Sequence, residues 1–75
     1  MEPYKDLHGN SGVVAFEIAD QHIDIEFRGN NRYRYDYQQP GEVAVETMKK
    51  LALSGEDLAT FINKHVGKNF AVKLP

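Results

Sequence analysis

Residues 13–37 alternate apolar and polar side chains through three consecutive runs, and this period of two constrains the fold more than any other feature of the chain. In the first run Val14, Phe16 and Ile18 fall on one side, with Val13, Ala15, Glu17 and Ala19 on the other. In the second, Ile23, Ile25 and Phe27 oppose His22, Asp24, Glu26 and Arg28. In the third, Tyr33, Tyr35 and Tyr37 oppose Arg32, Arg34 and Asp36. β-Branched and aromatic residues supply most of the apolar positions, as strands prefer. Three strands joined by short loops predict an antiparallel meander with one apolar and one polar face.

Opposed residues of a hairpin share a face, so the loops predict a register. A two-residue loop at Asp20-Gln21 sets Ile18 against Ile23, Phe16 against Ile25 and Val14 against Phe27. For the second hairpin, a three-residue loop at Gly29-Asn30-Asn31 sets Phe27 against Tyr33, Ile25 against Tyr35 and Ile23 against Tyr37. Asn31 or Gly29 is then expected in a left-handed conformation. On the polar face this register puts Arg28 opposite Arg32, Glu26 opposite Arg34 and Asp24 opposite Asp36.

Helical patterning follows the sheet. Pro40 is expected in the first turn of a helix running to about Leu53, with Val45, Met48, Leu51 and Ala52 as its apolar stripe. Ser54, followed by Glu56 and Asp57, reads as the N-cap of a second helix. Leu58, Phe61, Ile62, His65 and Val66 form its stripe, and Gly67 ends it. Phe70, Val72 and Leu74 alternate again, which allows a short C-terminal strand. The fold class is therefore α+β: a three-stranded antiparallel meander followed by two helices packed on one face. Residues 1–10, broken by Pro3, Gly9 and Asn10, read as a flexible tail, and residues 11–75 as one domain.

At 75 residues the chain is long enough for one domain. It has no cysteine, which removes disulfides, thiolate metal ligands and thiol nucleophiles. With no apolar run near the ~20 residues of a membrane span, and no basic and apolar N-terminal leader, a cytoplasmic location without membrane insertion is expected. Enzymatic constellations are scarce. Ser54 is assigned to a cap, and His8, His22 and His65 are scattered over a tail, a turn and a helix. Glu17, Asp24, Glu26 and Asp36 share an open sheet face, which lacks the burial that general acid–base work requires. The chain is expected to be non-catalytic and to hold no metal or cofactor.

Charge patterning points to a local basic tract. Residues 1–39 carry four Lys or Arg against seven Asp or Glu, whereas residues 40–75 carry five against four. From Phe61 to Pro75, Lys64, Lys68 and Lys73 stand without any acidic residue. Arg32-Tyr33-Arg34-Tyr35 interleaves cations with aromatics, as nucleic-acid binders do. The alternation nevertheless turns the tyrosines inward and leaves only the arginines outside.

Tyr33-Arg34-Tyr35, Pro40-Gly41-Glu42-Val43 and Phe61-Ile62-Asn63-Lys64-His65-Val66-Gly67-Lys68-Asn69-Phe70 follow one another in that order. In this, residues 11–75 resemble the KTSC domain, a family named after the C-terminal domain of some lysyl-tRNA synthetases. That family has a central Tyr-x-Tyr, a proline-rich helix start and a late Asn-Lys/Arg-His segment followed by Gly-Lys. Gly41 stands where a second proline is common, and Ala44 where an aromatic is common. The resemblance implies a bacterial binding domain that contacts RNA such as tRNA, with Lys64, His65 and Lys68 as the positions to test. Lys73, Arg28, Arg32 and Arg34 complete the expected nucleic-acid-binding set. The alternative is a protein-interaction or self-association module, in which an edge strand, Val13–Ala19 or Arg32–Tyr37, pairs with a partner protein or a second copy.

Overall fold

A computed structural model describes all residues from Met1 to Pro75. The chain forms a five-stranded antiparallel sheet in the order β1-β2-β3-β4-β5. The strands are β1 (Glu2–Pro3), β2 (Val13–Ile18), β3 (His22–Phe27), β4 (Asn31–Asp36) and β5 (Val72–Leu74). Helix α1 (Glu42–Ser54) follows β4, and α2 (Leu58–Phe61) runs directly into a π-helical turn, Ile62–Val66. The expected meander is present as β2, β3 and β4, extended by one short strand on each side. No helix is long and apolar enough to cross a membrane.

The first hairpin keeps the expected pairing of Ile18 with Ile23 and Phe16 with Ile25. At its far end the register shifts: a bulge sets Val13, not Val14, against Phe27. Val13 is buried and Val14 is exposed. The bulge inserts one residue and so reverses which of the two adjacent valines faces inward. Ser11 braces this point, its Oγ accepting the Val13 N–H at 3.0 Å.

The second hairpin differs from expectation by two residues. Phe27 pairs with Asn31, Ile25 with Tyr33 and Ile23 with Tyr35. The loop is Arg28-Gly29-Asn30, with Gly29 and Asn30 at φ 83 and 63, so Asn31 lies in the strand. Faces survive a slip of two, and Tyr33 and Tyr35 still turn inward, Tyr35 being only 2% exposed. Cross-strand charges decide the register. The expected one opposed Asp24 to Asp36 and Arg28 to Arg32, both repulsive. The observed one pairs Asp24 with Arg34 and Glu26 with Arg32.

Helix α1 covers the inner face, packing on β3 and β4. Val45, Met48 and Ala52 are buried there with Phe16, Ile23, Ile25 and Tyr35. Burying a side chain such as Val45 or Met48 contributes about 1.5–3 kcal/mol. Pro40 precedes the helix instead of opening it, and α1 begins at Glu42 behind Gly41. Tyr37 lies just past β4 and anchors the start of the helix layer. Its hydroxyl donates to Glu46 Oε2 at 2.6 Å, and Lys49 Nζ reaches Glu46 Oε2 and the Asp20 carbonyl, both at 2.8 Å.

Ser54 is not an N-cap. It is the last residue of α1, and its Oγ donates to the Leu51 carbonyl at 2.9 Å and accepts the Glu56 N–H at 3.2 Å. Gly55, in a left-handed conformation, ends α1, and α2 starts after Asp57 without a side-chain cap of its own. The missing acceptor comes from the N-terminus: Tyr4 Oη takes the Leu58 N–H at 3.3 Å. Tyr4 is buried, Glu2 and Pro3 pair with Phe16 and Ala15, and the Leu7 N–H bonds the Gly55 carbonyl at 2.9 Å. The first ten residues, read from sequence as a tail, are thus tied to the sheet and to the helix corner. A two-residue strand is too short to show alternation, and one buried tyrosine makes no periodic pattern.

Both expected edge strands are flanked. β5 covers β4, with Arg32 opposite Leu74 and Arg34 opposite Val72. β1 covers the middle of β2 at Phe16 and Ala15.

Candidate nucleic-acid interface

The expected cations fall on three separate parts of the surface. Arg32 and Arg34 lie on the outer sheet face, away from the helices, as alternation required. There Arg34 forms a two-point bridge to Asp24, Nε to Oδ1 at 2.8 Å and Nη2 to Oδ2 at 3.0 Å. The hydrogen bond to Asp24 raises the Arg34 pKa further above its ordinary value. Arg32 Nε lies 3.6 Å from Glu26 Oε1, and His22 Nε2 lies 3.9 Å from Asp24 Oδ1. Glu17 and Asp36 share this face, so four carboxylates surround two guanidinium groups. Met1, Leu74 and Pro75 help to line a shallow depression over Glu17, Asp24, Glu26 and Arg32. A phosphate arriving here meets net negative charge and competes with carboxylates already in place.

Arg28 stands apart on the β3–β4 loop, where its Nε donates to the Ser11 carbonyl at 3.3 Å. It joins neither the outer-face arginines nor the lysines.

The lysines occupy the C-terminal tract. The π-helical turn is closed by the Gly67 N–H, which bonds the Ile62 carbonyl at 2.6 Å. A π turn holds one residue more than an α turn, and such turns are frequent at functional sites. Here Ile62 and Val66 go inward, while Asn63, Lys64 and His65 are exposed. The chain then crosses to β5, where Lys73 pairs with Tyr33 and turns toward the helix side. Between the π turn and the β4–β5 edge lies a groove of about 390 Å³. Phe27, Tyr33 and Phe70 give it aromatic walls, and Asn63, Lys68 and Lys73 line it with polar ends.

Tyr33 touches both of the other walls. The Tyr33 and Phe70 rings are 4.6 Å apart between centroids, and Phe27 meets Tyr33 edge-on at 5.9 Å. Lys73 Nζ sits 5.9 Å from the Tyr33 ring centroid. All three rings remain half-buried. Lys64, Lys68 and Lys73 make no ion pair, in contrast to Arg32, Arg34 and Lys49.

His65 and Lys64 do not enter this groove. The His65 ring packs on Phe61 at 5.1 Å and faces a separate depression with Val43 and Thr47. Lys64 is exposed on the same turn and lines neither depression. Of the seven expected residues, the fold therefore brings Lys68 and Lys73 together around aromatics and keeps Lys64 nearby in sequence. It separates Arg28, Arg32, Arg34 and His65 from them.

Sequence reasoning missed Phe27, Tyr33 and Phe70 as groove walls. Phe70 alternates with Val72 and Leu74 in the sequence, yet the strand begins only at Val72 and Phe70 turns to the opposite side, onto Tyr33. The signal that was present is the Phe70 aromatic inside an acid-free lysine tract. No family model, curated protein or solved structure matches the chain.

Proposed function

We propose that the chain is a small non-catalytic RNA-binding module, with a structured RNA such as tRNA as its ligand. Lys64, Lys68 and Lys73 would make the phosphate contacts. The observation that carries this reading is the contrast between the two sets of cations. The outer-face arginines are bound to carboxylates, whereas the three lysines are exposed, unpaired and free of acidic neighbours in sequence, and Lys68 and Lys73 line a groove with aromatic walls. Such a surface suits an anion with flat, apolar parts. The resemblance to the KTSC family supports the same ligand class, and a bacterial, cytoplasmic setting accords with it. Phosphate contacts release counterions, so about three lysines imply an affinity that falls with a log–log salt slope of roughly −2 to −3. The test is a gel shift with tRNA at about 50 mM salt. Retention at micromolar protein that fades with added salt is expected, and no retention at that concentration overturns the reading.

A second reading is a protein-interaction or self-association module. It is favoured by the free edge of β5, a three-residue strand whose Val72 is 45% exposed. An open edge offers unpaired backbone groups to a partner strand. Light scattering over a wide concentration range tests self-association, and a strict monomer removes it.

A further inference from the structure

Resting on the RNA reading, we infer that the Phe27–Tyr33–Phe70 groove takes an unpaired nucleobase, so that the module selects single-stranded segments over duplex. A small domain gains most from burying its aromatics, because its core is marginal. This one instead leaves three aromatic rings half-buried around a single depression, with Tyr33 against both Phe27 and Phe70, while Tyr35 is fully buried. The volume of about 390 Å³ falls within the range of small-ligand sites, roughly 300–1,000 Å³.

The polar groups match one nucleotide. Every base has a π-face, and an aromatic wall accepts it regardless of sequence. The exposed Asn63 amide carries both donors and an acceptor, the complement of a base edge. Lys68 and Lys73 supply positive charge for the phosphates on either side of that base. Lys73 already rests near the Tyr33 ring, where a cation is attracted by the π-face, and a phosphate would draw it outward. Bases inside a duplex are stacked and cannot enter such a groove, whereas loops, bulges and ends can be splayed into it. Charge complementarity selects RNA over an apolar peptide as occupant, since no carboxylate lines the groove.

The chain has no tryptophan and four tyrosines, so its emission arises from tyrosine, with Tyr33 as one of four contributors. The experiment titrates the wild-type chain with single-stranded oligouridylate and with a blunt RNA duplex of the same length. Binding is followed by polarisation of labelled RNA and by tyrosine emission. Single-stranded RNA is expected to bind about tenfold more tightly than duplex and to quench tyrosine emission, the magnitude of one stacked base. Phe70→Leu should weaken single-stranded binding by a similar factor and leave duplex binding unchanged. Asn63→Ala, at an exposed position, gives the same comparison if Phe70→Leu fails to fold. Equal binding of both RNAs without quenching overturns the groove inference and leaves the lysine reading standing. Binding of neither RNA overturns both.

Discussion

Arg34 and Asp24 face each other across β3 and β4 with two parallel hydrogen bonds, at 2.8 and 3.0 Å, and Asp24 is only 6% exposed. This pair fits the observed hairpin register and engages the arginine with a carboxylate. Arg34→Ala leaves a nearly buried carboxylate without its partner. A loss of about 1–3 kcal/mol is expected, toward the low end because the arginine side chain remains partly solvated. Replacing both residues with apolar ones of similar size should recover most of that loss. Urea denaturation of the single and double variants measures both.

Tyr4 joins the N-terminal segment to the start of α2 through the Leu58 N–H. Tyr4→Phe keeps the ring and removes the acceptor, with an expected cost of about 1 kcal/mol. Tyr4→Ala also empties a buried site and should cost about 3–5 kcal/mol. If thermal melts show neither change lowering stability, the N-terminal segment is not part of the cooperative fold.

Gly55 ends α1 at φ +78, and a Cβ built there would lie 2.7 Å from the Lys5 Cβ. Gly55→Ala is therefore strained in its backbone and crowded by the N-terminal segment. A loss of about 1–3 kcal/mol is expected in denaturant unfolding.

Alkali should unfold the chain through its tyrosines. Burial pushes the Tyr35 phenol up to about 12, and the hydrogen bond to Glu46 pushes Tyr37 up to about 12, from the ordinary 10.0. The folded chain therefore holds protons that the unfolded chain has released between pH 10 and 12. Stability from these groups is complete below pH 10 and falls as pH rises toward 12. Glu46 acts at the other limb. Lys49 first, and then Tyr37, hold its carboxyl below 4.5, so its contribution is complete above that pH and falls in more acidic solution. Ultraviolet titration of tyrosinate alongside circular dichroism checks the alkaline limb: late tyrosines should ionise together with unfolding.

Alternation alone placed Phe16, Ile23, Ile25 and Tyr35 in the core, because a register slip of two residues leaves the faces of a strand unchanged. Matching apolar with apolar chose the register two residues away, because that one is fully matched whereas the observed one leaves Phe27 opposite Asn31. The charges at Asp24, Arg34, Glu26 and Arg32 favour the observed register. Val13 and Val14 were indistinguishable by type, and only the bulge separates them. Ser54 resembles a cap because Glu56 and Asp57 follow it. The acceptor that serves α2 comes instead from Tyr4, more than fifty residues away. For the interface, Lys64, Lys68 and Lys73 were legible as a tract without acid. The groove was not, because it requires Phe70, Tyr33 and Phe27 to meet through the π turn and β5.

The proposed ligand surface is the C-terminal lysine tract and not the arginine strand. Amide chemical-shift mapping of the folded chain with added tRNA tests it most directly. Perturbations are expected to concentrate at residues 61–74 and at Tyr33, with Asp24, Glu26 and Glu17 unmoved. Perturbations centred on Arg32, Arg34 and their carboxylate partners, or none at saturating RNA, would contradict it.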